Sequence, residues 1–175
     1  MKKLFLILVA VFGFGICANA QLGARVNSNI SSICPPLNWK NAINMVFKGP
    51  VEQGANVNAP IQTRMEISGG SRTVKNLKEF VDIETQYNNS IISRSSFKTN
   101  SGIVGEKVVF KTKEGMFDTN PVFKIQYFFY RGDIKEYSRE YSNCVIITCT
   151  VLESKANKYL SLFDESVKTF EHFKK

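Results

Sequence analysis

Ala156, Leu160, Phe163, Val167 and Phe170 step by four, three, four and three residues, the spacing that stacks side chains along one face of a helix. An apolar ridge of that length must be buried, so the chain needs a matching apolar surface of its own. The segment just before the ridge is a candidate for it. Cys144 to Leu152, CVIITCTVL, is apolar and β-branched enough for a buried strand. The end of the chain is therefore expected to be a strand followed by a helix, capped by Ser154, that lies across a sheet.

Upstream patterns supply that sheet. Gln62 to Ser68 alternates Thr63, Met65 and Ile67 with Arg64, Glu66 and Ser68, the period of a half-buried strand that ends at Gly69-Gly70. Thr73 is expected to cap a helix over 74–89 carrying Val74, Leu77, Phe80, Val81 and Tyr87, with Asn88-Asn89 closing it. From Ile91 to Val151, turn signals at Asn100-Ser101-Gly102, Glu114-Gly115 and Arg131-Gly132-Asp133 divide the chain into an antiparallel meander. Its strands are expected at Ile91 to Lys98, Ile103 to Lys113, Phe123 to Tyr130 and Cys144 to Leu152. In the second of these, Val108, Phe110 and Thr112 face one way and Lys107, Val109, Lys111 and Lys113 the other. The predicted class is α+β, an antiparallel sheet of about six strands covered by helices. With 14 Phe and 6 Tyr in 175 residues, the chain can fill such a core.

Met1-Lys2-Lys3, the apolar run Leu4 to Ile16 and Ala18-Asn19-Ala20 together form an export signal, 1–20, expected to be cleaved after Ala20. The run of about 13 residues is too short to span a hydrocarbon core. Cys17 raises the alternative of a lipid anchor, which is disfavoured because Ile16 stands where a lipoprotein signal wants a small residue. Residues 21–36 are small and polar and end in Pro35-Pro36, so they form an N-terminal arm, and 37–175 a single domain. Loss of Lys2 and Lys3 leaves 21 basic against 15 acidic residues and lowers the net charge from +8 to +6. The short Lys-Lys signal looks bacterial, which places the mature protein in the periplasm or outside the cell.

That compartment is oxidising and permits one bridge among Cys34, Cys144 and Cys149. Cys144 and Cys149 are five apart on one strand, roughly 16 Å, and point to opposite faces. They cannot join each other, since a disulfide needs Cα atoms within about 7 Å. Whether Cys34 joins either stays open, with Cys144 the better placed.

The order strand, helix, meander, aromatic strand, buried strand and terminal helix resembles the PsbP-like family, itself related in fold to the Mog-type Ran-binding proteins. The likeness is carried by CVIITCTVLESKANKYLSLFDESVKTFEHF, and by GPVEQGANVNAPIQTRMEIS, TVKNLKEFV and NSGIVGEKVVFKT, over about residues 39 to 173. RGDIKEYSREYSN makes a longer connection before the last strand than that family's pattern has. The resemblance implies an α/β/α sandwich around an antiparallel sheet and little about activity, because members include photosystem II extrinsic subunits, Ran-binding factors and exported bacterial proteins.

No catalytic, cofactor-binding or metal-binding residue emerges from the sequence. Metal sites need convergent ligands at fixed spacing, and His172 stands alone, expected at the surface of a frayed end. Ser and Thr residues lack a nucleophile elbow, and the glycines form no phosphate-cradling loop. Cys149, beside Val145, Ile147 and Val151, is expected to be a small buried hydrophobe. Lys107, Lys111 and Lys113, with Lys98 and Lys124 near them, form a positive stripe expected to be a solvated face and not a nucleic-acid platform. Arg131-Gly132-Asp133 is a hairpin tip, and Asn29 and Asn88 in N-x-S triplets are expected to be unmodified. The expected role is non-catalytic recognition of an unidentified protein, through a sheet edge or the aromatic hairpin Phe123 to Tyr141. The alternatives are a small-ligand carrier with an aromatic-lined cavity between sheet and helix, and a redox protein using a low-pKa Cys144 or Cys34.

Overall fold

A computed structural model of the chain describes residues 21–28, 31–42, 44–53, 60–70, 72–88, 90–114, 120–132 and 143–172. The expected export signal, 1–20, with Cys17, Asn29, the asparagine-rich loop over 54–59, Gly115, and Asp133 with the rest of the connection over 133–142 lie outside these residues.

The elements in chain order are β1 (Val26–Asn27), β2 (Ser31–Ile33), β3 (Lys40–Ala42), β4 (Val46–Glu52), β5 (Ile61–Gly70), α1 (Leu77–Thr85), β6 (Ile91–Lys98), β7 (Val104–Glu114), β8 (Asn120–Tyr130), β9 (Cys144–Leu152), a 3-10 turn (Glu153–Lys155), α2 (Ala156–Lys168) and β10 (Glu171–His172). Among the described residues, seven strands form one sheet in the order β3-β4-β5-β9-β8-β7-β6, with every pair antiparallel. The meander from β6 to β9 is the one the turn signals predict. The sheet has seven strands where about six were expected because the stretch after Trp39 doubles back into the hairpin β3–β4. Asn44 and Met45, both at positive φ, make that turn.

Period-two alternation gives the sheet two apolar faces. On one, Phe47, Met65, Ile125, Tyr127, Phe129, Ile147 and Cys149 lie under α2 and its Tyr159, Phe163, Val167 and following Phe170. On the other, Val108, Phe110, Phe128 and Cys144 lie under α1 and its Phe80 and Val81. Helix, sheet and helix therefore make an α/β/α sandwich, and Cys144 and Cys149 fall on opposite faces as their spacing requires.

Both helices depart from the sequence expectation at their starts. Asn76, not Thr73, caps α1: its side-chain oxygen accepts from the Glu79 amide at 2.9 Å, while the Glu79 carboxylate accepts from the Lys75 amide at 2.7 Å. These two bonds fix the first turn at Leu77, which leaves Val74 buried ahead of the helix and Tyr87 beyond it in solvent. Ser154 likewise caps nothing; it is exposed in the 3-10 turn, and Lys155 precedes α2 without a side-chain cap. Within α2, Tyr159 takes the buried place expected of Leu160, which is half-buried. The reason lies in its partners: Tyr159 stacks on Phe163 at 6.1 Å, meets the Trp39 ring at 6.3 Å, and donates to Glu52 at 2.9 Å.

Trp39 reaches α2 across β4, where Gly49 leaves room for it. A Cβ on Gly49 would stand 2.5 Å from the indole ring. β1 and β2 form with β10 a small second sheet, in the order β1-β2-β10. It is tied to α2 where the Ser166 hydroxyl donates to the Cys34 carbonyl at 2.6 Å and the Cys34 amide donates to Thr169 Oγ1 at 2.8 Å.

Candidate functional site

The main sheet ends in two unlike edges. β3 is three residues long and carries Lys40, a short charged edge of the kind that discourages further pairing. β6 is eight residues long, and its outer side pairs with no described strand. Ile92 to Ser96 are all exposed. The strand has no proline, and its bulge is confined to its first residues, between Ile91 and Ser93.

The one cation in the middle of this edge is already held. Arg94 donates to Glu106 on β7 at 2.5 Å and to Asp82 on α1 at 2.9 Å, and Asp82 also accepts from Lys78 at 2.5 Å. The hydrogen bonds from Lys78 and Arg94 hold the Asp82 carboxyl below the ordinary carboxylate range, and the bond to Glu106 raises the Arg94 guanidinium. The network straps α1 to the edge. Where α1 runs into β6, Ile83, Tyr87 and Ile92 are exposed, Tyr87 by 91%. Apolar side chains near a strand edge that no described strand covers are a common feature of interaction surfaces.

The aromatic hairpin offered as an alternative surface is mostly core. Tyr127, Phe128 and Phe129 are fully buried in β8, and residues 133–141 lie outside the described part. The rings between sheet and α2 contact one another: Phe97 meets Tyr127 and Phe129 stacks on Phe170, each at 4.9 Å between centroids.

The lysines of β7 share a face as expected, but that face carries α2 and two of the three are paired. Lys107 donates to both oxygens of Asp164 at 2.7 and 2.8 Å, and Lys111 donates to Glu153 at 2.7 Å. Lys98 and Lys124, expected near this stripe, lie on the opposite face, because they oppose Val104 and Phe110. Asp164 also accepts from the Tyr127 hydroxyl at 2.6 Å. Burial pushes the Tyr127 phenol well up, so it stays a neutral donor in this knot of three side chains.

Among the described residues no disulfide joins Cys34 to Cys144 or to Cys149, so neither bridge left open by the sequence forms. Burial raises Cys149 well above an ordinary thiol and raises Cys144 to about 11. Cys144 is therefore not the low-pKa thiol that a redox reading needs. It lines a cavity of about 130 Å³ with Ser68, Gly70, Phe80 and Glu84, and Arg72 closes one side through its ion pair to Glu84 at 3.0 Å.

His172 is not a frayed surface residue. It pairs with Ser31 in the small sheet and meets the Phe170 ring edge-on at 5.0 Å. Both ring nitrogens are shielded without a hydrogen-bond partner. Burial, with the Arg131 charge second, lowers its pKa to about 4. Asn88 is engaged in its own turn, accepting from the Ser90 amide at 3.1 Å and from the Ser90 hydroxyl at 2.5 Å. Among the described residues no group of three or more His, Cys, Asp and Glu could hold a metal ion, and no helix is long and apolar enough to cross a membrane.

No protein-family model matches the chain, and no curated protein matches it. Among solved structures, the chain is similar to the solution structure of cyanobacterial PsbP (CyanoP) from Synechocystis sp. PCC 6803. The two share 12% identity with a TM-score of 0.46, over 88% of this chain and 94% of that one.

Proposed function

We propose that this chain is an exported, non-catalytic accessory module of the PsbP-like type that recognises a protein by strand addition at β6. The observation that carries the reading is the contrast between the two sheet edges. β3 is short and charged, whereas β6 offers eight residues, five of them exposed in succession, with its central arginine neutralised from behind. An extended segment laid along β6 gains main-chain hydrogen bonds, and Ile83, Tyr87 and Ile92 give it apolar contacts at one end. The export signal at 1–20 supports a place outside the cytoplasm.

The test is a photo-crosslinking side chain at Ser95, compared with the same group at exposed Lys155, in the 3-10 turn that follows the central strand β9. The protein is expressed in its native host. The reading predicts one adduct of defined mass at position 95, none at 155, and loss of the adduct when the crosslinker-bearing chain also carries Ser96→Pro, which removes an amide that faces outward from the edge. Equal labelling at both positions, or labelling that survives the proline, counts against it. Intact mass of the secreted protein tests export separately and should show a chain beginning at Gln21.

A further inference from the structure

Directly opposed residues of antiparallel strands share a face, so the register can be read as rows that run across the sheet. One row, Phe47, Met65, Cys149 and Ile125, is apolar and lies beneath α2. Its neighbour, one residue along each strand and on the other face, is Lys40, Lys48, Arg64, Thr150 and Lys124. Four of these five positions carry a cation. At roughly 4.8 Å per strand they span about 19 Å in a line. α1 covers the far part of this face, over Val108, Phe110, Phe128 and Cys144, and no described helix covers the row.

Like charges placed directly opposite one another cost stability. Lys40 with Lys48, and Lys48 with Arg64, are two such pairs in succession. Among the described residues only Arg64 is answered, by Glu114, which accepts from both guanidinium nitrogens at 3.2 Å. Lys40, Lys48 and Lys124 have no carboxylate partner there, and Glu66, beside Arg64 on the same face, is exposed and unpaired. The Thr150 hydroxyl, in the row between Arg64 and Lys124, is shielded from solvent and has no hydrogen-bond partner.

We propose that this row is a binding site for a phosphate-class polyanion laid across the strands. Lys48, Arg64 and Lys124 take its oxygens, Thr150 donates to it, and Glu114 is the internal carboxylate that it displaces from the Arg64 fork. A guanidinium already gripped by two carboxylate oxygens is preset for an oxyanion, and three further cations in line favour a ligand with several negative charges. Phe110, the next member of the row beyond Lys124, is buried under α1, so the row offers no exposed aromatic side chain on which a base could stack, and a phosphate chain fits it better than a single-stranded nucleic acid. The site is independent of the β6 edge, which lies at the other end of the sheet.

Free polyphosphate and an array of anionic phospholipid headgroups share this chemistry. Binding is measured with inorganic tripolyphosphate in solution and with phosphatidylglycerol vesicles by co-sedimentation. The variants are Lys48→Gln/Lys124→Gln, the charge-matched control Lys155→Gln/Lys168→Gln, and Glu114→Gln. Saturable binding is expected that falls at least tenfold in the first variant, changes less than twofold in the control, and tightens a few-fold when Glu114 no longer competes. The arm that shows this pattern identifies the source. The melting temperature should not fall in Lys48→Gln, which relieves repulsion, so a loss of binding there is not a loss of fold. Equal weakening in row and control variants, or no saturable binding in either arm, overturns the site.

Discussion

Replacing Asp164 by alanine tests how α2 is held to the sheet. The carboxylate accepts from Tyr127 at 2.6 Å and from Lys107 at 2.7 and 2.8 Å. Tyr127 is fully buried, so without Asp164 its hydroxyl is left with no acceptor, at a cost of about 1–3 kcal/mol. The ion pair adds less, because the Asp164 and Lys107 side chains remain 32% and 18% exposed; solvent screening limits it to about 1 kcal/mol or below. The expected loss is about 1–4 kcal/mol in urea unfolding, or a melting temperature lower by several degrees. Tyr127→Phe removes the donor together with its need and should cost about 1 kcal/mol. In the double variant the two losses should be less than additive, since the orphaned hydroxyl is gone. If Asp164→Ala unfolds within about 0.5 kcal/mol of the parent, or if the two changes add, the knot does not hold the helix as argued.

Three further outcomes follow from single positions. His172 titrates at about 4 in the folded protein against 6.5 when unfolded, so the unfolded chain binds the extra proton first and stability falls as pH drops from 6.5 toward 4. The loss is at most about 1.4 kcal/mol per pH unit, and His172→Phe should flatten that part of the urea-midpoint profile. A Cβ at position 105 would stand 2.5 Å from the Phe128 carbonyl and 2.6 Å from the Phe129 ring, so Gly105→Ala should cost about 2 kcal/mol or more in thermal unfolding. Thiol titration should find Cys144 and Cys149 slow in the folded state and fast in urea, because both are buried.

Much of this fold was legible because its signals are local. Alternation over 62–68 and within β7 set strand faces correctly, and the ridge from Ala156 to Phe170 led to a helix lying on a sheet. Helix starts were harder, since several polar residues compete for each cap and the winner depends on a partner: Asn76 succeeds through Glu79. Tyr159 displaced Leu160 because its neighbours Trp39 and Glu52 come from distant parts of the chain. The candidate surfaces were least legible. That β6 is an edge, and that Lys40, Lys48, Arg64 and Lys124 align, depends on pairing across the whole sheet, which no single strand's pattern contains. The sequence reading grouped Lys124 with Lys107 for want of that register.

The most direct test of the recognition role is amide hydrogen exchange along β6, measured on the free protein and after capture of the partner crosslinked at position 95. In the free protein, alternate amides from Ile92 to Ser96 should exchange fast because they point outward from an unpaired edge. In the complex, those same amides should become protected while β9, already central, changes little. Protection that appears elsewhere and leaves the β6 amides as fast as before would contradict strand addition at this edge.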